Sequence, residues 1–257
     1  MKKCLTLVAI LSAITGLMVC FAGPERLESK SVASAAAPCD WSGFYVGIHG
    51  GVGQYSYTAT DAGGFNLDVQ DGEADTSRFY DMNGLVGGQV GFNWQKGAAV
   101  FGLEADGAWA NFNVHNTNNA SAIGDFLQHD GEINFLGTVR GRLGLAYENV
   151  LVYVTGGVAF AEGQRHVRYN EDEENVSTSE FADWKADDWR VGLVGGVGVE
   201  YMMTCNWTIR AETLFTTFQE ETVQDSAHQD AVGFPQRFQD EVFMVRLGLN
   251  YKFGGGR

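Results

Sequence analysis

"WSGFYVGIHGGVG", residues 41–53, sets bulky apolar side chains against small and polar ones at every second position. Phe44, Val46, Ile48 and Val52 share one parity, while Tyr45, Gly47, His49, Gly51 and Gly53 share the other. A period of two belongs to a strand whose successive side chains point to opposite faces. Glycine is among the residues strands use least. Gly43, Gly47, Gly50, Gly51 and Gly53 in one such stretch therefore need a physical reason.

The same pattern returns seven times. "DMNGLVGGQVGFNWQ" carries Val86, Val90, Phe92 and Trp94 on one parity, and "AVFGLEADGAWAN" carries Phe101, Leu103, Ala105 and Trp109 against Glu104 and Asp106. "INFLGTVRGRLGLAY" sets Ile133, Phe135, Val139, Leu143 and Leu145 against Arg140 and Arg142, and "VLVYVTGGVAF" runs Val150, Val152, Val154, Val158, Phe160. In "WRVGLVGGVGVEY" the oily parity is Trp189, Val191, Leu193, Val197, Val199 and Tyr201, against Arg190 and Glu200. "WTIRAETLF" places Trp207, Ile209 and Phe215 opposite Arg210 and Glu212. Last, "FMVRLGLNYKF" places Phe243, Val245, Leu247, Leu249, Tyr251 and Phe253 opposite Arg246, Asn250 and Lys252.

Alternation alone also fits a half-buried strand of a soluble protein, such as a secreted lipocalin-like barrel. The composition of the second face decides between them. A water-exposed face has no need of so much Gly and Ala. A narrow lumen does, because small residues leave room for a few large charged ones, and eight strands enclose an interior just wide enough for side chains to fill. The glycines of 41–53 are thus expected to line the inside of a small, tightly curved barrel.

The connections have a matching rhythm. Short links "QKG", "ENV" and "MTCN" alternate with long ones, expected at 59–79, 114–130, 166–187 and 220–241. Outer-membrane barrels combine short periplasmic turns with long external loops. The expected fold is all-β, an eight-stranded antiparallel up-and-down transmembrane β-barrel over 41–253, with both termini periplasmic. Outward Trp94, Tyr147, Tyr201, Trp207, Tyr251 and Phe253 would form one aromatic girdle, and Trp109, Phe135, Phe160, Trp189, Phe215 and Phe243 the other.

The start of the chain fits export. "MKKCLTLVAILSAITGLMVCFAG" has two lysines, an apolar run and then small residues, the form of a Sec-type signal peptide over 1–22, cleaved after Ala22 or within "ASAAA" near 33–37. An N-terminal membrane anchor is the alternative. Residues 23–40 then form a periplasmic segment and 254–257 a C-terminal tail. Among 257 residues there are 34 Gly and only 3 Pro, and the formal charge is −15. So acidic a chain has no basic stripe with which to neutralise phosphates, which argues against nucleic acid as a partner.

"WSGFYVGIHGGVG" after a signal peptide, with "MVRLGLNYKF" as the final strand, resembles the opacity-type and outer-membrane immunogenic β-barrel proteins of Gram-negative bacteria. These are relatives of the membrane domain of outer membrane protein A. The resemblance covers 41–253. It implies a barrel held in outer-membrane lipid and inserted by the barrel-assembly machinery, which reads the last strand. One departure is "GGGR" after Phe253, where the family usually ends on the aromatic.

The inward parity nominates a lumen charge network of Glu104, Asp106, Arg140, Arg142, Arg190, Glu200, Arg210, Glu212 and Arg246. Unpaired charge in a low-dielectric lumen is costly, so near balance points to a bonded plug. A gated ion path is the alternative. At least two of Arg140, Arg142, Arg210 and Arg246 are expected within salt-bridge reach of Glu104, Glu200 or Glu212. The four long connections hold 20 of the chain's 32 acids. "NEDEEN" at 170–175 lacks the alternating ligands and turn glycine of a calcium loop and reads as solvated surface.

Nothing here requires a cofactor, a metal or catalysis. "SAH" at 226–228 sets a hydroxyl near an imidazole but brings no orienting acid or oxyanion hole. His115, His129 and His166 leave a heme- or metal-binding surface as a weaker reading. Loss of 1–22 would remove Cys4 and Cys20. Cys39, before the first strand, and Cys205, in a short turn, would remain as a candidate disulfide on one rim, the alternative being two free thiols. The function expected is structural and surface-facing, with acidic loops for surface interaction. A narrow channel for small solutes is the runner-up.

Overall fold

The computed structural model describes residues 39–61, 76–119, 126–170, 180–223 and 236–253. The strands are β1 (Gly43–Asp61), β2 (Thr76–Lys96), β3 (Ala99–Asn119), β4 (Phe126–Tyr147), β5 (Val150–Asn170), β6 (Glu180–Met202), β7 (Trp207–Phe218), β8 (Glu221–Val223) and β9 (Gln236–Lys252). Each pairs antiparallel with its neighbour in sequence, except that β7 and β8 both pair with β9, and β9 returns to pair with β1. Thr217 faces Glu241 and Glu221 faces Phe238, so β7 and β8 are one wall strand broken by a one-residue bulge at Gln219–Glu220. The result is a closed eight-stranded antiparallel barrel.

Closure leaves no sheet edge in the lower wall, where the short turns lie. Gly97–Ala98 joins β2 to β3, and Glu148–Asn149 joins β4 to β5. Gly97 takes a left-handed φ of 62°, which suits the first position of a two-residue hairpin turn. The parity read from the sequence sets the two faces. Ile48, Val90, Leu103, Val139, Leu193 and Leu247 are exposed on the outer wall, while Tyr45, Glu104, Arg140, Glu200 and Arg246 are buried inside.

Outward aromatics cluster at two levels. Trp207, Tyr251, Phe253 and Phe44 lie ring to ring around the short-turn end, at centroid distances of 5.1, 5.0 and 5.6 Å. Trp94, Tyr147 and Tyr201 are exposed at the same end. Trp109, Trp189, Phe160 and Phe215 are exposed at the upper level, where the Phe135 ring meets that of Trp189 at 6.0 Å across β5. Ten residue steps separate Phe243 from Phe253. At about 3.3 Å per residue and a tilt near 40°, that is roughly 25 Å of height, the apolar band of an outer-membrane barrel.

Four expectations need correction. First, strands run on into the stretches read as long loops. β1 reaches Asp61, β3 reaches Asn119, β5 reaches Asn170, and β6 already begins at Glu180. The connections between described strands are 62–75, 120–125, 171–179 and 224–235. About ten residues suffice to cross the apolar band, so strands of 21 to 23 residues rise well beyond it.

Second, Ile133 is inside rather than out. Pairing slips by one residue between Trp109 and Phe112 on β3 and between Gly131 and Phe135 on β4, which inverts the upper part of β4. Third, glycine occupies both faces. Gly51 and Gly157 point inward against a neighbouring backbone, where an added Cβ would lie 2.2 Å from the Val245 carbonyl oxygen and 2.1 Å from that of Val139. Gly141, Gly156 and Gly195, consecutive cross-strand partners, instead face outward with nothing closer than 3.6 Å.

Fourth, Arg190 leaves the charge set in which its parity placed it, as the lumen geometry below explains. The residues 1–38, 62–75, 120–125, 171–179, 224–235 and 254–257 lie outside the described structure. With them lie the signal peptide, the cleavage sites, the acids of "NEDEEN" after Asn170, the "SAH" triplet and the C-terminal tail.

Above the outer aromatic level the wall divides. The β2–β3 ladder ends at Leu85–Ala110 and the β6–β7 ladder at Gly192–Phe218, while all the other ladders continue upward. Two sheets result, β3–β4–β5–β6 and β2–β1–β9–β8. The Asn113 amide donates to Asp81 Oδ2 (2.9 Å) across one seam, and the Gln219 amide donates to the Val191 carbonyl (3.2 Å) across the other.

Candidate functional site

The lumen is filled in layers. At the short-turn mouth, Trp41, Val100, Leu151, Tyr153 and Met202 form an apolar cluster. Above it lie four carboxylates, Glu104, Asp106, Glu200 and Glu212, and four guanidiniums, Arg140, Arg142, Arg210 and Arg246, all nearly inaccessible to solvent. Three acid–arginine pairs face each other directly on neighbouring strands: Glu104 with Arg140, Glu200 with Arg210, and Glu212 with Arg246.

The bonds themselves reach much farther. Arg140 donates to Glu104 at 2.5 Å, to Asp106 at 2.9 Å and to Glu212 at 3.1 Å. Arg210 donates to Glu104 at 2.5 Å, Arg142 to Glu200 at 3.0 Å, and Arg246 Nε to Glu212 at 2.8 Å. Arg246 also grips both oxygens of Asp106, at 3.0 and 3.1 Å. Strands β3 and β7, or β4 and β6, share no backbone ladder, and these side chains tie them across the lumen.

Neutral donors complete each carboxylate. Tyr45 donates to Glu104 (2.6 Å), Tyr153 to Glu212 (3.0 Å), Thr138 to Asp106 (2.5 Å), and Thr208 and Asn250 to Glu200 (2.5 and 2.9 Å). The Arg142 guanidinium lies between the rings of Tyr45 and Tyr153, 4.8 and 5.2 Å from their centroids. The sequence reading named the charged members but missed Tyr45, His49, Gln89, Asn93, Tyr153, Thr208 and Asn250. Their inward parity was the available signal. Charge so desolvated is tolerable only when paired, and four negatives stand here against four positives.

The next layer is apolar: Leu85, Ala108, Leu136, Ala159, Val194, Leu214 and Met244. Above it comes a second polar layer. Arg190 donates to Asp240 at 2.7 Å and to the Glu132 carbonyl at 3.0 Å, and Arg165 pairs with Asp240 at 3.5 Å and with Glu221. Tyr55 donates to the same Asp240 at 2.5 Å. Arg190 thus belongs to this upper set, separated from the lower one by the apolar layer. Tyr57 stacks between Phe79 and Phe238 beside it, at 6.3 and 5.8 Å.

At the bottom, Cys39 and Cys205 are joined by a disulfide with α-carbons 5.2 Å apart, linking the segment before β1 to the β6–β7 turn. A maleimide applied to the protein lacking residues 1–22, denatured without reductant, is expected to label no thiol; two labelled thiols per chain would contradict the bridge.

The histidines scatter. His49 is buried in the lower layer against Gln89, while His115, Asp130 and His166 line a cleft of about 350 Å³ on the upper wall. Among the described residues no three His, Cys, Asp or Glu side chains are gathered to hold a metal. His129 contributes backbone pairing between β3 and β5, and its side chain lies outside the described set.

Residues 30–253 match the family model of the outer membrane protein beta-barrel domain. The chain belongs to this family. Among the outer-membrane barrel proteins it is 31% identical to the 31 kDa outer-membrane immunogenic protein of Brucella melitensis biotype 1, over 95% of this chain and 98% of that one. It is 28% identical to the 22 kDa outer membrane protein of Rhizobium leguminosarum bv. viciae, over 83% and 78%. Solved barrels are more distant. The outer membrane protein OprG of Pseudomonas aeruginosa aligns over 82% of this chain and 97% of its own, with 12% identity and a TM-score of 0.42. The outer membrane protease OmpT of Escherichia coli aligns over 86% and 100%, with 11% identity and a TM-score of 0.43. The resemblance read from the two ends of the sequence is to this family, and the protein is an outer-membrane β-barrel protein.

Proposed function

We propose that this outer-membrane barrel is a closed, structural and surface-exposed protein, neither enzyme nor cofactor carrier, whose lumen is plugged and whose acidic upper connections meet the exterior. The observation that carries the reading is the layering. A charge-balanced layer lies above one apolar cluster and below another, and the upper polar layer follows. A permeating ion would have to break multiply bonded arginine–carboxylate pairs and then cross apolar side chains.

In this reading the short turns and both termini are periplasmic, and the barrel-assembly machinery inserts the chain through its last strand. The segments within 59–79, 114–130, 166–187 and 220–241 carry most of the acid and present it to host or cell-surface ligands. Reconstitution in a planar bilayer is expected to give no discrete conductance steps. Reproducible single-channel steps would replace this reading with a narrow channel for small solutes.

A further inference from the structure

We propose that residues 39–42 are a latched strap that closes the short-turn mouth, with the Trp41 indole as stopper and the Cys39–Cys205 disulfide as latch. The inference concerns the mouth below the charged layer and holds whether or not that layer conducts.

The strap is anchored on two sides by different bonds. Near its own strand it is held by polar contacts. The Trp41 amide donates to Gln95 Oε1 (2.7 Å), the Gln95 amide donates to Ser42 Oγ (2.9 Å), and Lys252 Nζ donates to the Asp40 carbonyl. These tie it to β2 and β9, the two neighbours of β1. The disulfide instead reaches beyond β9 to the β6–β7 turn. The strap must therefore cross the end of the barrel, and as it crosses it delivers Trp41 inward. The indole is only 2% exposed and packs with Val100, Leu151 and Met202, with the Cys39 side chain against the same cluster. No backbone ladder continues from the strap to the far turn, so the disulfide is the one covalent hold there.

The latch opens by thiol–disulfide exchange with a dithiol. Two electrons and two protons convert the Sγ–Sγ bond to two cysteine thiols while the dithiol becomes a disulfide. The polar anchors keep the backbone of residues 40–42 beside β2 and β9, and the Trp41 side chain is freed to swing out of the mouth.

A reporter just inside the mouth tests this. Thr208 is buried and bonded to Glu200, so Thr208→Cys places a single free thiol in the bridged protein lacking residues 1–22. Its reaction with a small charged methanethiosulfonate would be timed on the folded barrel in detergent, with modification at position 208 measured by peptide mass. Heat-modifiable gel mobility checks folding in every variant. Adding Cys39→Ala and Cys205→Ala together, or pre-treating with dithiothreitol, is expected to speed modification at least tenfold. Trp41→Ala with the bridge intact is expected to do the same. Unchanged rates after the bridge is removed would overturn the latch, and an unchanged rate with Trp41→Ala would overturn the stopper.

Discussion

Glu104→Ala is expected to lower the stability of the folded barrel by about 3–5 kcal/mol, the usual cost of breaking a buried ion pair from one side. Glu104 accepts from Arg140 and Arg210 at 2.5 Å each and from Tyr45 at 2.6 Å. Its removal takes from the Arg210 guanidinium and the Tyr45 hydroxyl their hydrogen-bonded acceptor and from Arg140 one of three, and the lower layer becomes four positives against three negatives. Glu241, paired with Arg78 on the partly exposed upper wall, is the control. Its alanine variant should cost no more than about 1 kcal/mol. Urea titrations of both variants, refolded in detergent and read by gel mobility, decide the matter. Equal midpoints would show that the lumen bonds add nothing to the barrel beyond its strand ladder.

On the opposite wall, Leu247→Arg should cost on the order of 2–4 kcal/mol, because it sets a cation in hydrocarbon near the bilayer midplane. Leu247 is 67% exposed and lies between the two aromatic levels of β9. Its neighbour Gly248 faces inward. An alanine there would bring its Cβ to 3.1 Å from both Cγ and Nε of Arg210 and to 3.3 Å from the Ile48 carbonyl oxygen, a crowding of a few tenths of an ångström rather than a charge in hydrocarbon. Gly248→Ala should therefore be the milder change by a wide margin. If refolding titrations tolerate both substitutions equally, Leu247 does not face lipid.

What could be read in the sequence follows the membrane. Between the aromatic levels, lipid demands an apolar side chain at every second outward position, and Phe44, Val90, Leu103 and Leu247 declare their face without any tertiary knowledge. Above that band the outer face meets water while the inner one mixes Tyr57, Phe79 and Phe238 with Arg165, Arg190 and Asp240, the period of two fades, and Asp240 reads as a loop residue. Ile133 was misplaced because a bulge changes parity without leaving a local mark. Arg190 had the right face but the wrong layer, since strand parity carries no information about which arginine meets which carboxylate across a lumen. The glycines misled in part for a similar reason. Gly51 is small because a backbone presses on it, but a Cβ at Gly141, Gly156 or Gly195 would make only ordinary van der Waals contacts, and nothing in the structure explains them.

The long reach of the lumen bonds has a kinetic consequence. Arg246 and Asp106 are 140 residues apart, and Arg210 and Glu104 are 106 apart. Each pair joins strands that share no ladder, so it meets only once the sheet has curled and its opposite walls face each other. Interactions absent from the rate-limiting ensemble do little to hasten folding; they act by slowing escape from the native state. The charged core is thus a late-closing clasp. It does not guide the strands into register, but once they are there it lengthens the lifetime of the finished barrel in a membrane where no second attempt at assembly is close at hand.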